Sequence, residues 1–188
     1  MAKTLSGPTW VSKFPNSIKT NHLAEPFRSN AKKFIAALKA AGATVTVNAT
    51  VRPKERAFLM HWSFKVARKG KDPETVPELA GVEIDWVHRN LAGQKDAPAS
   101  KAAAGLMVAG YGIAFPPVID SRHTAGTAID MDISWTTAAL TIKDGTGANV
   151  IIKTGARNGG NTKLHRVGAS YGVIKLISDP PHWSSDGH

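Results

Sequence analysis

Residues Thr127 to Trp135 alternate without interruption. Ile129, Met131, Ile133 and Trp135 fall on one side, and Ala128, Asp130, Asp132 and Ser134 on the other. That is the period of a strand with one face in a core. A carboxylate in mid-strand, on the face away from the apolar side, constrains the fold strongly. One face of the sheet must be covered, and the other must accommodate Asp130. The preceding residues, Ser121-Arg122-His123-Thr124-Ala125-Gly126, place an imidazole seven positions before that carboxylate. This separation is too long for neighbours on one helix face and suits a loop folding back over its strand. Gly126 supplies the backbone freedom such a return needs.

A second stretch answers the first. Asp179-Pro180-Pro181-His182-Trp183 follows a short apolar segment, Val173 to Ile177, that reads as the last strand and delivers Asp179 and His182. His123, Asp130 and His182 offer two imidazoles and one carboxylate. Three such ligands can hold zinc and leave a fourth position for water. Zinc lowers the pKa of that water and can polarise a carbonyl. Asp179, three residues before His182, is then the candidate base, its geometry stiffened by the two prolines. Arg52 lies at a strand-to-helix corner and is the candidate for stabilising developing negative charge. Ser121 and Asp132 are candidates to orient a ligand, and Trp183 to wall the pocket.

At these residues the chain resembles the zinc D,D-carboxypeptidase and L-alanyl-D-glutamate endopeptidase family, which includes phage endolysins and vancomycin-resistance dipeptidases. The family pattern Ser-x-His-x-x-Gly-x-Ala-x-Asp is met by Ser121, His123, Gly126, Ala128 and Asp130. The later acid-x-x-His pattern is met by Asp179 and His182. The resemblance implies zinc on His123, Asp130 and His182, with Asp179 as base. An aspartate base and an Asp-x-Pro-His-aromatic ending are closer to the endolysin peptidases than to the vancomycin-type members, which use glutamate. The family's arginine usually follows Gly-Tyr and precedes Ser. Arg52 instead follows Thr50-Val51 and precedes Pro53, a departure from that pattern. The implied fold is Hedgehog/D,D-peptidase-like: α+β, with a small, mainly antiparallel sheet flanked by helices.

The rest of the chain fits an α+β domain read as a single unit, residues 1–188, with an irregular N-terminal segment over 1–23. Helices are predicted from Glu25 to Ala41, from Pro53 to about Arg68, from Ala97 to Gly110 and from Asn161 to Tyr171. Further strands are predicted at Thr44–Val51 and Ile113–Phe115, with a hairpin joining Leu140–Lys143 to Val150–Lys153. Residues 69–97 form the longest irregular stretch, with Trp86 as the aromatic to watch.

Hydrophobic residues are 42% and charged residues 20% of the 188, a globular composition. With no cysteine, disulfide scaffolds and thiolate metal sites are excluded. A net charge of +10 suits attraction to a polyanion such as a phosphate- and carboxylate-rich cell wall. The basic residues are scattered, which weakens a nucleic-acid arm. No apolar run approaches a membrane span, and the N-terminus carries no secretory h-region. The expectation is a monomeric enzyme made in the cytoplasm, acting in the periplasm or cell wall after release by phage lysis or delivery by a secretion apparatus. Its partners would be a peptidoglycan stem peptide and the anionic wall, with neither nucleic acid nor a membrane span. Two other readings stand beside it: a silent zinc- or wall-binding module on the same fold, and a metal-dependent nuclease. Each site residue also has a plain structural alternative: a hydrogen-bonded loop histidine for His123, a turn residue for Asp179, a surface ion pair for Arg52.

Overall fold

The computed structural model describes residues 2–188. In chain order the strands and helices are β1 (Thr4–Leu5), α1 (Phe27–Ala40), β2 (Thr44–Ala49), α2 (Lys54–Lys69), β3 (Ile84–Asp85), α3 (Ala97–Gly110), β4 (Ala128–Ser134), β5 (Leu140–Lys143), β6 (Asn149–Ile152), α4 (Thr162–Ser170), β7 (Ile174–Lys175) and β8 (His182–Ser184). This is an α+β protein with small, mainly antiparallel sheets, as expected. The chain forms two compact units. One comprises the chain up to Pro15 with Pro53–Asp120; the other comprises Asn16–Arg52 with Ser121–His188. The chain passes between them after Pro15, Arg52 and Asp120 with no linker segment, which is why composition alone does not reveal the division.

In the first unit, α2 and α3 pack around Phe58, Leu59, Phe64, Val66, Ala104 and Met107. α2 starts behind Pro53 and ends at Gly70, whose φ of 65° is the left-handed cap glycine supplies readily. Asp96 caps α3 by accepting from the Ala99 N–H. The N-terminal segment is less irregular than expected. β1 pairs in parallel with β3, and Trp10 is buried, its indole N–H donating to the Leu5 carbonyl at 3.0 Å. The strand expected at Ile113–Phe115 is absent. Phe115 is 82% exposed, and Pro116 and Pro117 follow at once, without N–H groups for a ladder. A cavity of about 360 Å³ lies along the 73–87 loop, with Trp86 and Phe58 in its lining.

The second unit holds a four-stranded antiparallel sheet in the order β2-β4-β8-β7. α1 buries Phe27, Ala31, Phe34 and Leu38, a helical stripe. These side chains join Ile129, Met131, Ile133 and Trp135 of the β4 segment in one core. Asn161 caps α4 by accepting from the Lys163 and Leu164 N–H groups. The last strand is shorter than the sequence suggests, only Ile174–Lys175. The residues after the loop form a strand of their own, β8, which inserts between β4 and β7. Trp183 is fully buried there, its ring centroid 5.3 Å from that of Phe34. Among the described residues, no helix is long and apolar enough to cross a membrane.

α4 approaches β8 so closely that a Cβ on Gly168 would lie 2.6 Å from Trp183 Cζ3 and 2.7 Å from the Val173 carbonyl oxygen. Gly168→Ala is therefore expected to destabilise the protein by about 1–3 kcal/mol through overpacking. Urea denaturation with tryptophan fluorescence measures it.

Candidate metal centre

Strand pairing brings two of the candidate ligands together. β4 and β8 run antiparallel, with Asp130 directly opposite His182. Directly opposed residues share a sheet face. Asp130 and His182 therefore project on one side, and Ile129 and Trp183, both 0% exposed, fill the core on the other. Trp183 does not wall a pocket, contrary to expectation: alternation sends its ring away from His182 and into the core. A β-bulge lies beside Asp130. Val47 opposes Met131 and Ala49 opposes Asp130, leaving Asn48 as the extra residue in β2. Bulges locally re-aim side chains and increase twist.

The third ligand comes from the loop before β4. Ser121 and Thr124 close a tight turn: the Ser121 N–H donates to Thr124 Oγ1 at 2.7 Å, and the Thr124 N–H donates to Ser121 Oγ at 3.2 Å. Gly126, at φ 72°, accepts from the Ala24 N–H at 2.9 Å. A Cβ there would stand 3.1 Å from that nitrogen, so both the conformation and the close approach call for glycine. The Arg52 N–H donates to the His123 carbonyl at 3.2 Å, tying the loop to the segment after β2.

The three donors form a tight triangle. His123 Nε2 lies 3.2 Å from Asp130 Oδ1 and 3.2 Å from His182 Nδ1, and His182 Nδ1 lies 3.1 Å from Asp130 Oδ1. Both histidines are buried, at 6% and 7% exposure. Their outer nitrogens are committed elsewhere. His123 Nδ1 is 2.6 Å from the Thr50 carbonyl oxygen, and His182 Nε2 is 3.2 Å from the His188 carbonyl oxygen. A carbonyl only accepts, so each outer nitrogen carries the proton and each inner nitrogen presents a lone pair. Two lone pairs and a carboxylate oxygen then face one another with no proton among them. Such a triangle repels itself unless a cation occupies it. A first-row ion with bonds of about 2.0–2.1 Å in tetrahedral geometry needs donor separations of about 3.3–3.4 Å, close to those found. Among the described residues, His123, Asp130 and His182 are the group of acidic and histidine side chains able to hold a metal ion. Where a proton rather than an ion sits between the three groups, burial opposes ionisation of Asp130, but hydrogen bonds from His123 and His182 outweigh it and hold the carboxyl well below the ordinary range.

The other expected site residues are placed less directly. Asp179 is exposed. Its carboxylate has no hydrogen-bond partner among the described residues, while its backbone carbonyl accepts from the His182 N–H at 3.1 Å. Asp132 is exposed two positions along β4 and accepts from Asn48 Nδ2 at 2.7 Å; it touches neither histidine. Ser121 shapes the turn that presents His123. His165 bonds the Gly159 carbonyl, His61 the Pro117 carbonyl, and His88 lies against Ser6, so these serve local structure. One residue was missed: Lys175, buried at 8% exposure, sends its ammonium into the 176–182 loop. Burial pushes its pKa down, against the pull of Asp179 and Asp130. Its strand position, in phase with the fully buried Val173, was the available sign.

No protein-family model matches this sequence, and no curated protein matches it.

In metal-free protein, the depressed Asp130 carboxyl contributes stability that is present above its unfolded value of about 4. That contribution is lost as pH falls through the lower folded value. The stability difference between wild type and Asp130→Asn should therefore be constant near neutrality and change below about pH 4, as read by urea midpoints across pH. Removing residues 186–188 takes away the acceptor behind His182. Metal affinity should then weaken by about 10–100-fold, measured by competition with a chromogenic chelator.

Proposed function

We propose that this chain is a zinc peptidase that hydrolyses an amide bond in the stem peptides of peptidoglycan. The observation that carries the metal assignment is the buried His2Asp triangle, with both outer imidazole N–H groups anchored to backbone carbonyls. Mixed nitrogen and oxygen donors suit zinc better than calcium or magnesium, which favour all-oxygen sites. The substrate class is supported by the likeness of Ser121–Asp130 and Asp179–His182 to the D,D-carboxypeptidase and L-alanyl-D-glutamate endopeptidase family. The net charge of +10 is suited to an anionic wall.

When bound, zinc would acidify a water molecule and polarise the scissile carbonyl. His123, Asp130 and His182 would hold it. Asp179 takes a proton from the attacking water on its carboxylate and returns it to the departing amine nitrogen. Its exposure suits a group that must meet both water and a polymeric substrate. Arg52, tied through its N–H to the His123 carbonyl, is positioned by its backbone beside the ligand loop. Its guanidinium supplies positive charge toward the tetrahedral oxyanion.

The test is digestion of purified sacculi, with mass spectrometry of the released muropeptides to identify the cut bond. Wild type loaded with zinc should open stem-peptide amides. Asp179→Ala should keep the metal and lose activity by about 10²–10⁴-fold. Intact sacculi with zinc bound would reduce the chain to a silent binding module, and iron in place of zinc in purified protein would remove the zinc assignment.

A further inference from the structure

The loop from Leu176 to His182 joins β7 to β8 and carries both the proposed base and the last metal ligand. Its backbone closes on itself. The Asp179 N–H donates to the Leu176 carbonyl at 3.3 Å, the His182 N–H to the Asp179 carbonyl at 3.1 Å, and the Leu176 N–H to the His182 carbonyl at 3.2 Å. The Lys175 ammonium reaches the same three carbonyl oxygens, Leu176 and Asp179 at 2.5 Å and His182 at 3.0 Å. An ammonium has three donors and no acceptor. Here each donor finds one carbonyl, and each carbonyl already holds one loop amide on its other lone pair.

We infer that Lys175 is a positioning residue whose ammonium, caged by the carbonyls of Leu176, Asp179 and His182, sets the loop that aims Asp179 and His182. The role assigned to Asp179 rests on the peptidase reading; the caging and its effect on His182 do not.

Simple packing does not account for a lysine here. Residue 175 lies opposite Trp183 in the sheet, and the ammonium stands 5.7 Å from the Trp183 ring centroid. A Leu or Met would fill the space beside that ring without the desolvation penalty of a buried cation. Ion pairing does not account for it either. Among the described residues Lys175 enters no ion pair, although Asp179 and Asp130 both lie near enough to favour its charge. What the ammonium does contact is the backbone of the residues that matter. Without it, three carbonyl oxygens would converge on one point with only their loop amides, and no cation, to offset their mutual repulsion. The loop would have to open, carrying the His182 backbone with it. Pro181 fixes the next link, its carbonyl accepting from the Met131 N–H at 2.8 Å, so a shift in the loop is passed on to β4 beside Asp130.

Lys175→Met retains the apolar stem and removes the cation; Lys175→Arg retains the cation in a planar form that cannot cap all three carbonyls. Two readouts that need no substrate apply: zinc affinity by chelator competition, and amide hydrogen exchange across residues 176–182. Lys175→Met should bind zinc about 10–100-fold more weakly. Exchange should quicken in the loop while the β2–β4 amides keep their protection, and Lys175→Arg should recover part of both losses. Wild-type affinity and protection in Lys175→Met would overturn the inference. So would global unfolding of that variant by circular dichroism, because the lysine would then support the whole core rather than the loop. If wild type leaves sacculi intact while Lys175→Met still loosens zinc, the peptidase reading fails and the positioning role stands.

Discussion

The pairing of Asp130 with His182 across β4 and β8 is the contact on which the site depends. A strand alternates faces at every residue, so a slip of β8 by one position along β4 would send His182 to the face opposite Asp130 and bring Trp183 out of the core. The register is defended by packing. Ile129 and Trp183 are fully buried, and Phe34 of α1 lies against the Trp183 ring. Burying such a side chain is worth about 1.5–3 kcal/mol, so a slip that exposed Trp183 would forfeit about that much. Hydrophobic packing on one face of the sheet thus places the polar chemistry on the other. His123 is located by other means: a hydroxyl-closed turn, one glycine and the Thr50 carbonyl.

Much of this was legible in the sequence, and what was not has identifiable causes. The strict alternation of Thr127–Trp135 marked β4, and the stripe of Phe27, Ala31, Phe34 and Leu38 marked α1. Both signals are local and repeat over several residues. β8 went unseen because it spans three residues and follows Pro180-Pro181, which read as the end of a strand rather than the prelude to one. Its partners lie on β4 and β7, and no local pattern reports a pairing of that reach. The bulge at Asn48 is invisible for the same reason, since the alternation of Val45, Val47 and Ala49 continues unbroken through it. The charge of Lys175 masks its burial: a lysine near a strand end reads as solvent-exposed, even in phase with the buried Val173. The two-unit organisation arises from contacts between distant segments, which composition does not encode.

All the expected site residues fall in one unit: Arg52, Ser121, His123, Asp130, Asp132, Asp179, His182 and Trp183 belong to the unit containing Ser121–His188. Within it, burial sorts them by task. The two candidate ligand histidines are nearly sealed and have both ring nitrogens engaged. Asp179, assigned proton transfer, stands exposed. The other unit has its own core around Trp10, Phe58 and Met107, and its own cavity along the 73–87 loop.

The ligand triangle joins one loop and two strands, residues separated by as much as 59 positions in the chain. An ion held there would act as a cross-link. Because it binds the folded arrangement and not the separated segments, each increment of occupancy adds to folding free energy: about 2.7 kcal/mol at a free concentration one hundred times the dissociation constant. Against a typical total of about 5–15 kcal/mol, that is a sizeable share. The metal supply of the surroundings would then govern how long the protein survives, including its resistance to proteases that attack opened strands.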